Sequence, residues 1–178
     1  MIIAGTRSDP ERLLGSELSA GAFEQLGVKP ILGRDFAARD NTFETPEVAL
    51  LSHALWQRRF GGDPSIVDTP VVLNGKPTTI VGVMPKGLAY PEMTDIWVPQ
   101  RKDPSKGNSR GSYHLFGSAR LKPEATLAQA QAEADTIMQS LSKEFPLTNE
   151  GIGARFQYLR HHAAGDASHL MLLLFNAD

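Results

Sequence analysis

The sequence predicts an α+β fold, and three observations carry that expectation. Apolar runs at residues 69–73 and 78–83 flank Asn74-Gly75, the strongest short-range signal for a β-hairpin, because both turn residues must take positive φ. Upstream, Val48–Leu51 is a continuous apolar run, as in a strand buried on both faces, and it leads straight into a helix carrying Leu55, Trp56 and Phe60 at helical spacing. Downstream, Leu127, Ala130, Ala134, Ile137, Leu141 and Phe145 recur every three or four residues, the apolar stripe of a long amphipathic helix between two strand-like runs.

In chain order, residues 12–19 read as weakly extended. Ser19 is placed to cap a short helix with Phe23 and Leu26 on one side, and Gly27 suits the left-handed position that ends it. Residues 28–36 run extended with Gly33 bending the path, and 37–46 are polar and acidic, a surface loop. Ser52 caps the helix of Trp56, which Gly61-Gly62 and then Asp63-Pro64 stop. Beyond the hairpin, residues 96–98 form a short strand expected at a sheet edge. Residues 101–112, with Gly, Ser, Asn and Pro, are a loop and a candidate subdomain junction, followed by a strand over 113–121. Thr126-x-x-Gln129 is a capping box that opens the long helix, about 30 Å in length, and Pro146 closes it. Residues 154–159 then return as a strand, completing a β-α-β unit of the kind that makes a parallel pair. The apolar run at 170–175 reads either as a docked terminal helix or as the approach to a membrane helix. There is no repeat of fixed period and no low-complexity segment.

Composition narrows the function classes. At 178 residues the chain makes one domain or two small subdomains. With 41% hydrophobic and 21% charged residues it is expected to be globular rather than disordered. A net charge of −2 excludes the electrostatic footprint of a nucleic-acid or anionic-lipid binder. The absence of cysteine excludes disulfides and thiolate metal sites without choosing a compartment. The first residues lack the basic region and apolar core of a signal peptide. The run at 170–175 is far short of the roughly 20 apolar residues of a membrane helix, so the chain reads as soluble.

Several residues invite a chemical reading. Gly107-Asn108-Ser109-Arg110-Gly111 matches the G-x-S-x-G nucleophile elbow, with His114 close by as a base. That motif needs a strand before the serine and a helix after it, whereas here a loop precedes and a strand follows. Gly75-Lys76 resembles the end of a phosphate-binding loop, but Pro70 replaces its first glycine and Pro77 its metal-binding hydroxyl. His161, His162 and His169 have neither helical ligand spacing nor neighbouring carboxylates. Trp56, Arg58, Arg59 and Phe60 form an aromatic–basic cluster that could be a partner-binding knob. Four residues apart, however, the two rings share a helix face, which favours core packing with the arginines solvated. No catalytic, cofactor-binding or metal-ligating residue is therefore assigned.

Taken together, the stretches SAGAFEQLGVKPILGRDF (19–36), VALLSHALWQRRFGGDPSIV (48–67), LNGKPTTIVGVMPKG (73–87), DIWVP (95–99) and ARLKPEATLAQAQAEADTI (119–137) are similar, in order and spacing, to the MacB-like periplasmic core domain of ABC transporter permeases of the FtsX/MacB type. Within that group the chain most resembles the acidobacterial duplicated orphan permeases. The resemblance implies a domain outside the cytoplasmic membrane with a porter-like β-α-β subdomain, here 12–36 plus 112–162, and an inserted, smaller Sabre-like α/β subdomain, here 37–105. It implies no catalysis and no cofactor. An ABC ATPase subunit acts through the permease's membrane helices, and the domain transmits conformational change in efflux or export while docking a periplasmic adaptor or a substrate. Family substrates range from macrolides to peptides and lipoproteins. The flanking membrane helices have no counterpart in these residues, so the resemblance implies an excised piece, a gene fragment or a truncated relative. The alternative reading is a stand-alone periplasmic binding module for a small amphiphile or peptide, with a cleft between the subdomains as its site. A hydrolase built on Ser109 and His114 ranks last.

Overall fold

The computed structural model describes residues 1–5, 8–88, 90–91, 93–101, 117–158 and 170–177, with the backbone alone at 2–5, 8–9, 157 and 170–177. The chain divides into two units, one of Met1–Pro104 with His162–Gly165, the other of Ser105–His161 with Asp166–Asp178.

The first unit contains, in order, β1 (Ile2–Gly5), β2 (Ser8–Arg12), β3 (Gly15–Leu18), α1 (Ala22–Gln25), β4 (Leu32–Gly33), a 3-10 turn at Ala38–Asn41, β5 (Val48–Leu51), α2 (His53–Phe60), a 3-10 turn at Pro64–Ile66, β6 (Pro70–Leu73), β7 (Lys76–Val83) and β8 (Ile96–Pro99). Its strands form one mixed sheet in the order β2-β1-β6-β7-β5-β8-β3, with β4 added to β7. β5 is parallel to β7, and β3 is parallel to β8; the other pairs are antiparallel.

The local signals explain these elements. Asn74 and Gly75 take φ of 52° and 79°, so the hairpin turns with Leu73 opposite Lys76. All four residues of β5 are buried, as expected of a strand with neighbours on both sides. The Ser52 side chain accepts from Leu55 N at 3.1 Å, and Gly61 ends α2 in the left-handed region. On one face of the sheet, α2 lays Leu55 and Trp56 over Ala49, Leu51, Ile80 and Ile96. Strand alternation puts Trp97 on the other face. There it meets Phe23 of α1 edge-on at 5.5 Å and donates from its indole N–H to Tyr90 O at 2.8 Å.

Two expectations for this unit change. The strand of 96–98 is not an edge, because β8 lies between β5 and β3. Ser19 does not cap α1; Gly21 does so with φ of 87°, while the Ser19 hydroxyl donates to Gln100 Oε1 at 3.0 Å. The chain before residue 12 contributes β1 and β2, which carry no alternating pattern that would reveal them. Residues 12–36 pair within this sheet, β3 along β8 and β4 along β7.

β4 approaches β7 more closely than side chains allow. Gly33 has φ of 71° and sits opposite Gly82. Ile31 N and Arg34 N donate to Val83 O and Val81 O at 2.8 and 2.9 Å. A bulge at Val81, between the pairs Ala49↔Ile80 and Leu50↔Gly82, brings Gly82 into line.

The second unit contains β9 (Gly117–Arg120), α3 (Leu127–Glu144), α4 (Pro146–Asn149), β10 (Ile152–Tyr158) and β11 (Leu170–Ala177). β11 lies between β10 and β9 and is antiparallel to both, which makes β9 and β10 parallel to each other across it, a split β-α-β arrangement. The expected direct parallel pair is therefore interrupted. The run at 170–175 is a strand rather than a docked helix, because two like-directed strands leave a gap that an antiparallel strand fills with backbone hydrogen bonds on both sides.

The capping box of α3 is present, with Gln129 N donating to Thr126 Oγ1 at 3.2 Å and Thr126 N donating to Gln129 Oε1 at 2.9 Å. Its apolar stripe lies as expected at Leu127, Ala130, Ala134, Leu141 and Phe145, all half-buried, except that Met138 is buried and Ile137 is 53% exposed. Gln131 turns toward β10, donating from Nε2 to Ala154 O at 2.7 Å and accepting from Phe156 N at 2.9 Å. One amide thus satisfies two groups on the edge of β10 as a neighbouring strand would.

A Cβ on Gly82 would lie 2.7 Å from Arg34 O and 2.8 Å from Leu32 O, both backbone atoms. Gly82→Ala should therefore lower unfolding stability by about 3 kcal/mol in urea melts. Gly75→Ala meets open space at φ of 79° and should cost only about 1 kcal/mol. Gln131→Leu removes both bonds to β10 and should speed amide exchange at Phe156 by at least about tenfold, because the freed donor faces no other strand.

Candidate functional site

Stretches far apart in sequence meet on the first unit: Met1, Glu17 of β3, Phe43 and Glu47 ahead of β5, the hairpin of β6 and β7, and the end of β8 at Val98 to Arg101. They line an open cleft of about 240 Å³. Leu73 and Thr78 are buried beneath it and Val98 is half-buried, while Phe43 keeps 50% of its surface exposed.

Arg101 fixes one wall. Its Nε donates to Asp40 O at 2.9 Å, Nη1 to Thr45 O at 2.8 Å and Nη2 to Pro46 O at 2.6 Å. Nη1 also lies 3.4 Å from Glu47 Oε2, and the side chain is only 9% exposed. The guanidinium is thus committed to backbone carbonyls and one carboxylate. Lys76, at the hairpin tip, stands 3.8 Å from Glu47 Oε1 with its side chain 69% exposed, a loose contact. Glu17 is exposed and makes no ion pair among the described residues.

Asp40 anchors the same wall from below. It is buried, in a loop expected to be solvated, and accepts from Arg34 Nη1 at 2.6 Å and Ala37 N at 2.8 Å. Burial by itself raises its pKa; the hydrogen bonds from Arg34 and Ala37, with the charges of Arg34 and Arg39, outweigh that and hold it below the ordinary value. Burial raises the neighbouring Asp35. In a second cluster, Glu11 accepts from Arg58 Nη2 at 2.5 Å and Arg59 Nη1 at 3.1 Å. Desolvation raises Glu11, but the two arginine hydrogen bonds and charges leave it lowered. Asp95 accepts from Leu14 N at 3.0 Å and lies 3.6 Å from Arg58.

The sequence candidates fall out as follows. Ser109, His114 and the glycines around them, and His161, His162 and His169, lie outside the described residues. Lys76 follows a hairpin turn and meets Glu47. Trp56 is buried in the core and donates to Asp63 O at 2.9 Å, so the rings pack inward. The arginines are not simply solvated, since both bind Glu11 and the Arg59 side chain is 7% exposed. Among the described residues, no group of three or more His, Asp or Glu is placed to hold a metal. The cleft was missed because its residues come from five separate stretches, and no local pattern joins them.

This fold and its ionic clusters define an α+β module whose described polar residues mainly tie distant segments together. The model of the MacB-like periplasmic core domain matches residues 2–137, and the chain belongs to that family, the extracytoplasmic domain of ABC transporter permeases. No curated protein sequence matches the chain. Among solved structures it is similar to the periplasmic region of MacB from Actinobacillus actinomycetemcomitans, at 14% identity over 80% of this chain and 63% of that one, with a TM-score of 0.58. It is also similar to a domain of a protein assigned as a permease from Porphyromonas gingivalis, at 16% identity over 99% of this chain and 72% of that one, TM-score 0.51. The extracellular domain of the noncanonical ABC-type transporter YknZ from Gram-positive bacteria matches at 18% identity over 56% of this chain, TM-score 0.45. The chain spans 49% of the YknZ domain and 63% of the MacB region. At these identities the likeness shows the fold, which is the expected α+β class. Among the described residues no helix is long and apolar enough to cross a membrane.

The depressed Asp40 carries a pH prediction. Its contribution to stability is present above the ordinary 3.8 and is lost as pH falls through the lower folded value. Asp40→Asn should cost about 2 kcal/mol at pH 7, from loss of the charged hydrogen bond to Arg34. The gap between wild type and variant in urea midpoints should narrow below about pH 4. A gap that stays constant into acid would mean that Asp40 charge contributes nothing.

Proposed function

We propose that this chain works as the non-catalytic, extracytoplasmic part of a MacB/FtsX-type permease, carrying conformational change and docking a partner or substrate during export. The observation that supports the reading most is the family match over residues 2–137 on an α+β frame. An ABC ATPase subunit on the opposite side of the membrane supplies the energy, and membrane helices of the permease relay it. A partner is then moved only by binding the two states with different affinity. Half-buried ionic ties such as Arg34–Asp40 and Arg101–Glu47, each with one buried member, suit this role, because a relay must not yield internally when pushed.

The test is hydrogen exchange on the domain within its full permease, assembled with its ATPase in lipid. Exchange rates in the domain should differ between ATP-bound and nucleotide-free states, and an ATPase variant unable to bind nucleotide should abolish the difference. Identical exchange in every nucleotide state would overturn the proposal.

A further inference from the structure

Asn74 and Gly75 form the tip of the hairpin between β6 and β7, and both are exposed. Leu73 pairs with Lys76 below them, which leaves the Gly75 N–H outside the ladder, and it donates to no acceptor among the described residues. Nothing lies within 4 Å of the place where a Gly75 Cβ would stand. In an asparagine–glycine pair the side-chain amide carbon meets the next backbone nitrogen most readily, because glycine has no side chain to block the approach. Here that nitrogen is unhindered and holds no hydrogen bond that must break first. We propose that Asn74 is a modification site, deamidated through a succinimide to aspartate and isoaspartate. Hydroxide takes the proton from Gly75 N, and rotation about the Asn74 Cα–C bond brings that nitrogen to Cγ. The new C–N bond forms, the Cγ–Nδ2 bond breaks, and the amide group leaves as ammonia. Water then opens the ring. Attack at Cγ restores the main chain with aspartate in place; attack at the main-chain carbonyl leaves Gly75 attached through the side chain, as isoaspartate. The sum is one water consumed and one ammonia released. Either product adds a negative charge among the residues that line the cleft. Isoaspartate also lengthens the backbone of a two-residue turn by a methylene, so that Leu73 no longer stays opposite Lys76. This chemistry needs neither a permease nor an ATPase and stands apart from the proposed relay.

The experiment keeps the folded chain at body temperature for two weeks, at neutral pH and one unit above it, and then digests it with trypsin. The bond from Lys76 to Pro77 resists cleavage, so the fragment spans residues 60–86, in which Asn74 is the only side-chain amide. That fragment should gain the mass by which OH exceeds NH2, faster at the higher pH in proportion to hydroxide. The modified chain should accept a labelled methyl group from an isoaspartyl methyltransferase. Gly75→Ala, which keeps the fold at small cost, should slow the gain at least about tenfold, since a Cβ then shields the nitrogen. After separation on an anion exchanger, the methyl-accepting chain should exchange the amides of Leu73 and Lys76 at least about tenfold faster than the unmodified chain. Asn74→Asp should leave that exchange unchanged, because aspartate tolerates positive φ. An unchanged fragment mass, an equal rate in Gly75→Ala, or a mass gain without methyl acceptance would overturn the proposal. Unaltered exchange in the methyl-accepting chain would overturn the loss of hairpin register.

Discussion

The path of the chain across β7 depends on two residues without side chains. Gly33 and Gly82 face each other where β4 crosses, and a Cβ on Gly82 would press on the carbonyls of Leu32 and Arg34. Because the crossing is this close, Arg34 leaves β4 at a fixed point and its guanidinium reaches Asp40. Asp40 in turn holds the 3-10 turn by accepting from Ala37 N, and its own carbonyl accepts from Arg101. Arg101 carries the constraint on to Thr45, Pro46 and Glu47. One contact between backbones therefore sets the course of residues 34–47 and, through it, one wall of the cleft.

What the sequence could reveal divides along the range of the interactions. Asn74-Gly75, Ser52 with Gly61, and Thr126 with Gln129 act within a few residues, and each forms the turn or cap that its chemistry demands. The burial of Val48–Leu51 was equally legible, since a continuous apolar run has few other uses. The failures are all non-local. β8 became an inner strand because β3, a short and mostly exposed segment, pairs beside it. The run at 170–175 has the composition of a helix or a membrane approach, and only the spacing of β9 and β10 makes it a strand. Gln131 carries no signal of its own in the sequence, yet it faces β10, whose edge takes a donor and an acceptor there. That demand also explains why Met138 rather than Ile137 is buried.

The cleft was illegible for a related reason. Glu17, Glu47, Lys76 and Arg101 are unremarkable charged residues in sequence, and a net charge of −2 hides any local imbalance. Family resemblance was legible because it sums weak agreement over many positions, and the match over residues 2–137 rests on that same sum. It identifies the kind of module without pointing to any patch on its surface. The geometry is what separates a committed cation, Arg101, from a loosely held one, Lys76.

That contrast is one of burial around a shared carboxylate, since Glu47 meets both Arg101 and Lys76. Among the described residues, no buried side-chain nitrogen or oxygen lacks a hydrogen bond. The charged ties join segments distant in sequence, such as Glu11 to Arg58 and Arg59, and Arg101 to the loop before β5. A buried, partnered charge is costly to break, since the group left behind loses both water and its mate. An exposed pair costs little to open, on the order of 1 kcal/mol or less. The Arg101 side chain, at 9% exposure, is therefore the more costly partner of Glu47 to withdraw, and Lys76, at 69%, the less costly. The two kinds of contact coexist in one unit because burial of the cation, rather than charge, distinguishes them.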